Sequence, residues 1–210
     1  EKTHRSRSAI LKKWVFQGEL LISASAVGFY GDRNDETLDE NAAVGDLFLS
    51  EVVKKWEEAT EKEKNAEIRV VNARMGIVLS PKGGALSLML PVFRLGLGGR
   101  LGNGEQFISW IALSDVLRAY HFGVEHEEVQ GPVNFCAPFP EKNKNFTKIL
   151  AKKLNRPAFF HVPSFLIKLF IRQQGKELLL ASAKVFPKKL EKAGFLFENQ
   201  KLQQAFDTLL

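Results

Sequence analysis

The sequence has 210 residues, of which 45% are hydrophobic, enough to build one large domain or a domain with a subdomain. The formal net charge is +6, but 30 basic residues alternate with 24 acidic ones, which favours a mixed solvated surface over a nucleic-acid partner. Cys136 is the only cysteine, so an internal disulfide framework is excluded and a reducing, cytoplasmic setting is predicted. No apolar stretch is long enough to span a bilayer, and the histidines and the cysteine have no metal-ligand spacing.

The first half of the chain is predicted to alternate between helices and strands. The predicted elements are a helix over 3–14, a buried strand over 20–25, an amphipathic helix over 47–64, and a strand over 68–79 that leads into a turn. Strand, helix and strand in this order indicate a right-handed βαβ unit in a parallel sheet.

The second half is predicted to complete the sheet and add a smaller region. Its elements are a helix over 85–95, a glycine-rich loop over 96–104, a strand near 107–111, a helix opened by Ser114 and Asp115, a strand over 131–137, and a helix over 144–154. A short strand over 159–163 and helices over 164–171, 188–193 and 202–209 follow. We therefore predict a sheet domain with interleaved cleft elements over 1–137 and a small C-terminal cap over 138–210.

An apolar run that ends in small hydroxylated residues contains the first candidate site. Ser23-Ala24-Ser25 closes the strand predicted over 20–25, and a loop bounded by glycines follows. A buried parallel strand delivers a serine to an active-site crevice in this way. Tyr30 lies in that loop, where facing a substrate and packing in the core are both open interpretations.

Several motifs in one order resemble the extended short-chain dehydrogenase/reductase superfamily. They are Ser23-Ala-Ser25-Ala with Tyr30-Gly31, Arg74-Met-Gly76-Ile-Val78, and Trp110-Ile with Asp115-Val116. Gly83-Gly84, the glycine cluster over 96–104, Arg156-Pro157 and Ala193-Gly-Phe195 further resemble its atypical branch of epimerase family proteins. The resemblance implies an α/β Rossmann-type doubly wound parallel sheet that lacks its N-terminal βαβ segments. It also implies NADP(H) binding and an oxidoreductase or epimerase ancestry.

The resemblance assigns roles to individual residues. Ser25 matches the family's catalytic serine, whose hydroxyl would hydrogen-bond a substrate carbonyl or alcohol. The residues expected to contact the cofactor lie near the ends of two strands: Ser23, Ala24, Arg74, Met75, Gly76 and Ile77. Gly76 would let the backbone approach the nicotinamide closely, and Arg74 would either reach a phosphate or pair with a helix glutamate. Tyr30, Arg100 and Trp110 are expected to face the substrate.

The family's proton-transfer base, a tyrosine four residues before a lysine, has no counterpart here. The two tyrosines, Tyr30 and Tyr120, are followed at that spacing by asparagine and valine. Ser50 and Lys54 lie four residues apart on one face of the predicted helix and are an alternative catalytic pair, or else two ordinary helix residues. Ile108 stands where nucleotide-sugar epimerases carry a diphosphate-binding arginine, which weakens the case for such a substrate.

The sequence therefore predicts an NADP(H)-dependent oxidoreductase or epimerase-like protein acting on a small oxygenated or sugar-like substrate. The alternative is a cofactor-binding regulatory or interaction protein without turnover, because the Tyr-x-x-x-Lys pair is absent. NADP(H) binding by this chain is expected to be weak, since the pyrophosphate-binding turn would lie in the missing N-terminal segment. We expect no nucleic-acid, membrane or metal partner, and we leave a homodimer open.

Overall fold

The structure is a computed structural model that describes residues 20–60, 68–162, 177 and 180–210. The helices predicted over 3–14 and 164–171 lie outside these residues. No helix in the described ranges combines the length and the apolar character needed to cross a membrane.

The described residues alternate between strands and helices along the chain. The strands are β1 (Leu20–Ala26), β2 (Thr37–Leu38), β3 (Arg69–Met75), β4 (Ile77–Leu79), β5 (Gly99–Leu101), β6 (Phe107–Ile108), β7 (Trp110–Ala112), β8 (Gly131–Phe135), β9 (Glu141–Lys142), β10 (Phe160–Val162) and β11 (Lys184–Val185). The helices are α1 (Phe48–Glu58), α2 (Gly84–Arg94), α3 (Leu113–Glu125), α4 (Asn143–Leu154), α5 (Lys188–Lys192) and α6 (Leu202–Leu209), and a 3₁₀ turn covers Val27–Tyr30.

A parallel sheet in the order β1–β3–β8 forms the centre of the fold. Each of its strands presents side chains to both faces, and the apolar residues Val71, Ala73, Val133 and Phe135 are fully buried there. Strand β4 continues β3 but pairs in parallel with β7 instead. The α/β Rossmann-type class predicted from the sequence is confirmed.

The strand predicted over 68–79 is divided at Gly76, because the chain passes there from one pairing partner to another. The Gly76 amide donates to the carbonyl of Phe135 in β8, and the next amide, that of Ile77, donates to Ser109 beside β7. A Cβ at Gly76 would lie 2.7 Å from the Ser109 carbonyl oxygen. The glycine therefore lets two strands approach closely at this crossing.

Pairing also shaped a region that was predicted as a loop. The glycine-rich segment over 96–104 contains β5, which pairs in parallel with β10. Local composition indicates a loop because glycine has low strand propensity, whereas the partner strand is more than fifty residues away in sequence.

The region after residue 138 is joined to the sheet domain at several places. Strand β11 pairs with β2, and β10 pairs with β5. The buried carboxylate of Asp115 accepts the amides of Glu198 and Asn199, both at 2.9 Å. Asp115 lies in the first turn of α3, as predicted, but α3 has no side-chain cap hydrogen bond and the carboxylate anchors the C-terminal segment instead. The domain boundary at 137/138 stays a prediction.

Candidate active site

A buried network of polar side chains surrounds Arg74 at the end of β3. We call it the Arg74 network and define it as Ser25, Tyr30, Glu57, Arg74 and Asn134. Both carboxylate oxygens of Glu57, on α1, accept hydrogen bonds from Arg74, at 2.8 Å from Nε and 2.7 Å from Nη2. The side chains of Arg74 and Glu57 are only 4% and 12% exposed. Of the two alternatives for Arg74, the structure therefore shows the pair with a helix glutamate.

Ser25 belongs to this network through its hydroxyl. Strand β1 places it directly opposite Arg74 in the sheet register, and its Oγ donates to Glu57 Oε1 at 2.6 Å. The carboxylate thus holds both the serine and the guanidinium. For Ser25 to donate to a substrate carbonyl, this hydroxyl must exchange its partner, and the catalytic role of Ser25 stays a prediction.

Tyr30 lies on the other side of the guanidinium and is fully buried. Arg74 Nη1 donates to the phenol oxygen at 3.0 Å, and the phenol donates to Asn134 Oδ1 at 2.7 Å. Burial raises the pKa of Tyr30 to about 12, although the charge and hydrogen bond of Arg74 act to lower it. Burial also raises the pKa of Tyr120. Neither tyrosine is therefore a tyrosinate near neutral pH.

The Arg74 network is stabilised further by an aromatic ring. The guanidinium carbon of Arg74 lies 3.5 Å from the ring centroid of Phe29, within the range of cation–π attraction. The residues of the Arg74 network come from β1, the 3₁₀ turn, α1, β3 and β8. The network therefore fixes the helix and the turn against the sheet.

The alternative pair Ser50 and Lys54 has separate partners in the structure. Ser50 is buried, and its hydroxyl donates to the Gly28 carbonyl at 2.9 Å. The exposed ammonium of Lys54 lies 3.6 Å from Glu58 on the same helix. A catalytic action of these two residues stays a prediction.

The expected cofactor contacts lie in or next to the sheet. Ser23 and Ala24 lie in β1 and pair with residues of β3, and Met75 is the last residue of β3. A Cβ at Gly76 would meet the backbone at the start of β7, so no free space adjoins this glycine on that side. Ile77 differs from the others because it borders an open cleft.

Two of the three predicted substrate contacts lie away from the Arg74 network. Arg100 is exposed on β5. Trp110 is buried in β7, where its indole Nε1 donates to the Phe139 carbonyl at 3.1 Å. Contact of Tyr30, Arg100 and Trp110 with a substrate stays a prediction.

A cleft with a volume of about 160 Å³ opens where β1 ends and beside β4. Its walls are mainly apolar and include Val27, Ile77, Leu79, Met89, Phe107 and Ile108. Glu177 carries the one charge among the described residues that line it, and these include no lysine or arginine. Ligands of open α/β sheets bind outside the carboxyl ends of the strands, so this cleft is the candidate ligand site.

Apart from Ile77 and Ile108, sequence reasoning did not identify the cleft walls, and it did not single out Glu57. Most of the described wall residues are apolar, among them side chains from β4, β6, α2 and the start of α1, and they resemble core residues in the sequence. One signal in the sequence pointed to Glu57. It lies on the predicted helix between two strands, the second of which carries an arginine near its end, and a buried arginine needs a carboxylate.

Comparison with known proteins agrees with this geometry. Residues 162–209 match the model of a domain of unknown function, DUF1731. An epimerase family protein from Mycobacterium bovis is 42% identical over 185 residues, which cover 88% of this chain and 62% of that protein. The human epimerase family protein SDR39U1 (isoform 2), solved with NADPH, has a TM-score of 0.83 at 32% identity and covers 91% of this chain and 65% of its own. A nucleoside-diphosphate sugar epimerase from Corynebacterium glutamicum has a TM-score of 0.80 at 36% identity, covering 97% of this chain and 40% of its own.

The parallel sheet, the cleft at its carboxyl edge and these similarities define an α/β fold of the Rossmann type. Over 88% of its length the chain is similar to epimerase family proteins, as its motifs predicted. It spans about three-fifths of the length of the curated relatives it matches.

Proposed function

We propose that the protein is an NADP(H)-dependent oxidoreductase or epimerase-like protein that acts on a small oxygenated substrate. The observation that carries this proposal is the cleft beside Ile77, where the strands β1 and β4 present their ends to a cavity. The human relative solved with NADPH supports the choice of cofactor. A cytoplasmic setting and a homodimer remain predictions.

The cleft suits one part of this cofactor. Ile77 and Val27, at one side of the cleft, would hold the face of a nicotinamide ring, and the bound ring would exchange a hydride with a substrate in the rest of the cleft. The described residues around the cleft provide no cation for the phosphates. Weak cofactor binding by this chain is therefore consistent with the donor set, since the phosphates need partners from elsewhere.

A second candidate function is a cofactor-binding regulatory or interaction protein without turnover. Two observations favour it: the hydroxyl of Ser25 is held by Glu57, and the phenol of Tyr30 has a pKa of about 12. A reductase of this superfamily needs a group that exchanges a proton with the substrate near neutral pH. If neither group becomes available on ligand binding, the protein has no such donor among these residues.

The first test is an NADPH fluorescence titration of the 210-residue chain and of a form that spans the full length of its relatives. The human relative solved with NADPH is the positive control. We expect weak binding by the shorter chain and tight binding by the longer one. Equal affinity would contradict the expectation about the phosphate contacts, and no binding by the longer form would remove the cofactor from the proposal.

The second test is oxidation of NADPH by the longer form in the presence of carbonyl compounds. We expect turnover that Ser25→Ala abolishes. The matched control is Ser87→Ala, which removes an exposed hydroxyl on α2 that bonds only to the Gly84 carbonyl among the contacts described. Tight NADPH binding without oxidation would favour the second candidate, and turnover that survives Ser25→Ala would remove Ser25 from the mechanism.

A further inference from the structure

The walls of the cleft come from separate parts of the fold and are chemically alike. Val27 follows β1, Leu79 ends β4, Met89 lies on α2, Phe107 on β6 and Phe146 on α4. Side chains from five elements therefore converge on one cavity, and the described residues that line it include no cation. A cavity of this composition has little attraction for a charged or strongly hydrated ligand.

Two polar side chains at the described cleft wall are bonded to the protein through their oxygen atoms. The Ser109 hydroxyl donates to the Ala183 carbonyl at 2.7 Å and accepts the Val185 amide at 3.0 Å. Asn143 Oδ1 accepts the Leu101 amide at 2.8 Å. These contacts leave the apolar carbon atoms as the main surface that a ligand would meet.

The one charged side chain at the described wall has the wrong sign for a phosphate. Glu177 Oε2 accepts the Leu49 amide at 3.0 Å, which fixes the carboxylate at the edge of the cleft. A diphosphate in the same space would lose its water and meet a negative charge, with no compensating cation among the described residues that line the cleft. The electrostatics therefore disfavour a nucleotide-sugar in this cleft.

The volume of the cleft sets the size of its occupant. A cavity of about 150 Å³ lined by leucine, isoleucine and phenylalanine stays dry and accepts benzene. The cleft here has a volume of about 160 Å³ and similar walls. It matches one aromatic ring or a short aliphatic chain.

We infer that the cleft binds uncharged, mainly apolar carbonyl or alcohol compounds of about the size of one aromatic ring, in preference to nucleotide sugars. Binding of such a compound rests on the cleft alone, whereas its conversion rests on the proposed function. The apolar walls provide the affinity for the compound.

The test is ligand-observed saturation-transfer NMR on the 210-residue chain, with benzaldehyde and UDP-glucose as separate probes. The variant Ala85→Trp introduces a large side chain at an exposed position that borders the cleft. Leu88→Trp is the matched control, because Leu88 is 78% exposed on the same helix and lies outside the cleft wall. The affinity for benzaldehyde is taken from the dependence of the signal on its concentration. We expect Ala85→Trp to lower this affinity about tenfold, which equals about 1.4 kcal/mol, and Leu88→Trp to leave it unchanged.

A second variant tests the electrostatic argument. Ile108→Arg places a cation at the cleft wall, so it should weaken the benzaldehyde signal and create one for UDP-glucose. The inference is overturned if the unmodified chain binds UDP-glucose more strongly than benzaldehyde, or if Ala85→Trp and Leu88→Trp act alike. Benzaldehyde binding without NADPH oxidation by the longer form would instead contradict the proposed function and leave the inference intact.

Discussion

The Arg74 network and the apolar cleft lie at the same edge of the sheet, yet the network consists of polar side chains and the cleft mainly of apolar ones. In the network, a serine, a tyrosine, a glutamate and an asparagine surround one guanidinium, and their hydrogen bonds stay within the protein. In the cleft, the side chains are mainly apolar and leave room for a ligand. The residues that look catalytic in the sequence are thus bonded to each other, and those that look like core face the cavity.

The change between the two regions takes place between the end of β3 and the start of β4. Arg74 points to α1 and the 3₁₀ turn, Gly76 crosses the backbone of β7, and Ile77 borders the cleft. The network holds α1 against β1 and β3, so it keeps the wall residues at the start of α1 in place. We therefore interpret the network as a structural support for the cleft. A ligand that accepts a hydrogen bond from the Ser25 hydroxyl would have to replace Glu57 as its acceptor.

The largest expected effect comes from breaking the ion pair with Glu57→Gln. The change leaves the buried guanidinium of Arg74 without its counter-charge, which should cost about 3 kcal/mol in the free energy of unfolding. Glu58→Gln is the control, because it affects an exposed pair with Lys54 and should cost less than about 0.5 kcal/mol. Urea denaturation measures both. Equal losses would show that the network contributes no more than a surface pair.

The next effect comes from the crossing point between the network and the cleft. In Gly76→Ala the added Cβ would lie 2.7 Å from the Ser109 carbonyl oxygen, so one of the two strands must move. We expect a loss of about 2 kcal/mol in the free energy of unfolding. Gly83→Ala is the control, since a Cβ there meets no atom within 4 Å. If both variants unfold at the same urea concentration, the crossing tolerates a side chain and does not divide the two regions.

How far the sequence predicted the molecule follows from the same two regions. Periodicity located β1 and α6 to within a residue, because burial of one face is a local property of the chain. Ser25 was also found at a strand end, as predicted. The partner of that serine depends on tertiary packing, since Glu57 lies 32 residues away on a helix whose rotation the sequence leaves open.

The cleft was beyond the sequence for a related reason. An apolar residue such as Leu79 or Met89 has the same local signal whether it fills a core or lines a cavity. Whether such a residue fills a core or lines a cavity depends on how several elements, distant in sequence, pack against each other. Ile108 gave the one hint, because an isoleucine stands where relatives of another substrate class carry a charge.

A smaller effect is expected from Tyr30→Phe, which removes the link between Arg74 and Asn134. Loss of two buried hydrogen bonds should cost about 1.5 kcal/mol in the free energy of unfolding at neutral pH. The phenol pKa is about 12 in the folded chain and near 10.0 when unfolded, so the unfolded state releases the proton first as the pH rises. The advantage of tyrosine over phenylalanine should therefore shrink between pH 10 and 12. Urea denaturation of both proteins across this range measures it, and an unchanged difference would show that Tyr30 titrates normally.

The smallest effect concerns Glu40, a buried carboxyl that receives hydrogen bonds from the amides of Asn134 and Lys189 instead of a bidentate guanidinium. Burial raises its pKa above the ordinary 4.5, so the folded state holds its proton to higher pH than the unfolded state does. The stability that this group contributes is complete below pH 4.5 and declines as the pH rises through the folded pKa. Glu40→Gln keeps the accepting oxygen and removes the titration.

We therefore expect the free energy of unfolding of Glu40→Gln to gain on that of the parent chain as the pH rises from 4 to 7. Urea denaturation at several pH values in this range measures the gain, and Glu36→Gln, at an exposed carboxyl paired with Arg33, is the control. A difference that is constant with pH would show that Glu40 stays ionised in the fold. In that case hydrogen bonds from backbone amides would be sufficient to keep a buried carboxylate ionised at Glu40. The ion pair between Arg74 and Glu57 would then no longer be the feature that distinguishes the Arg74 network from its surroundings.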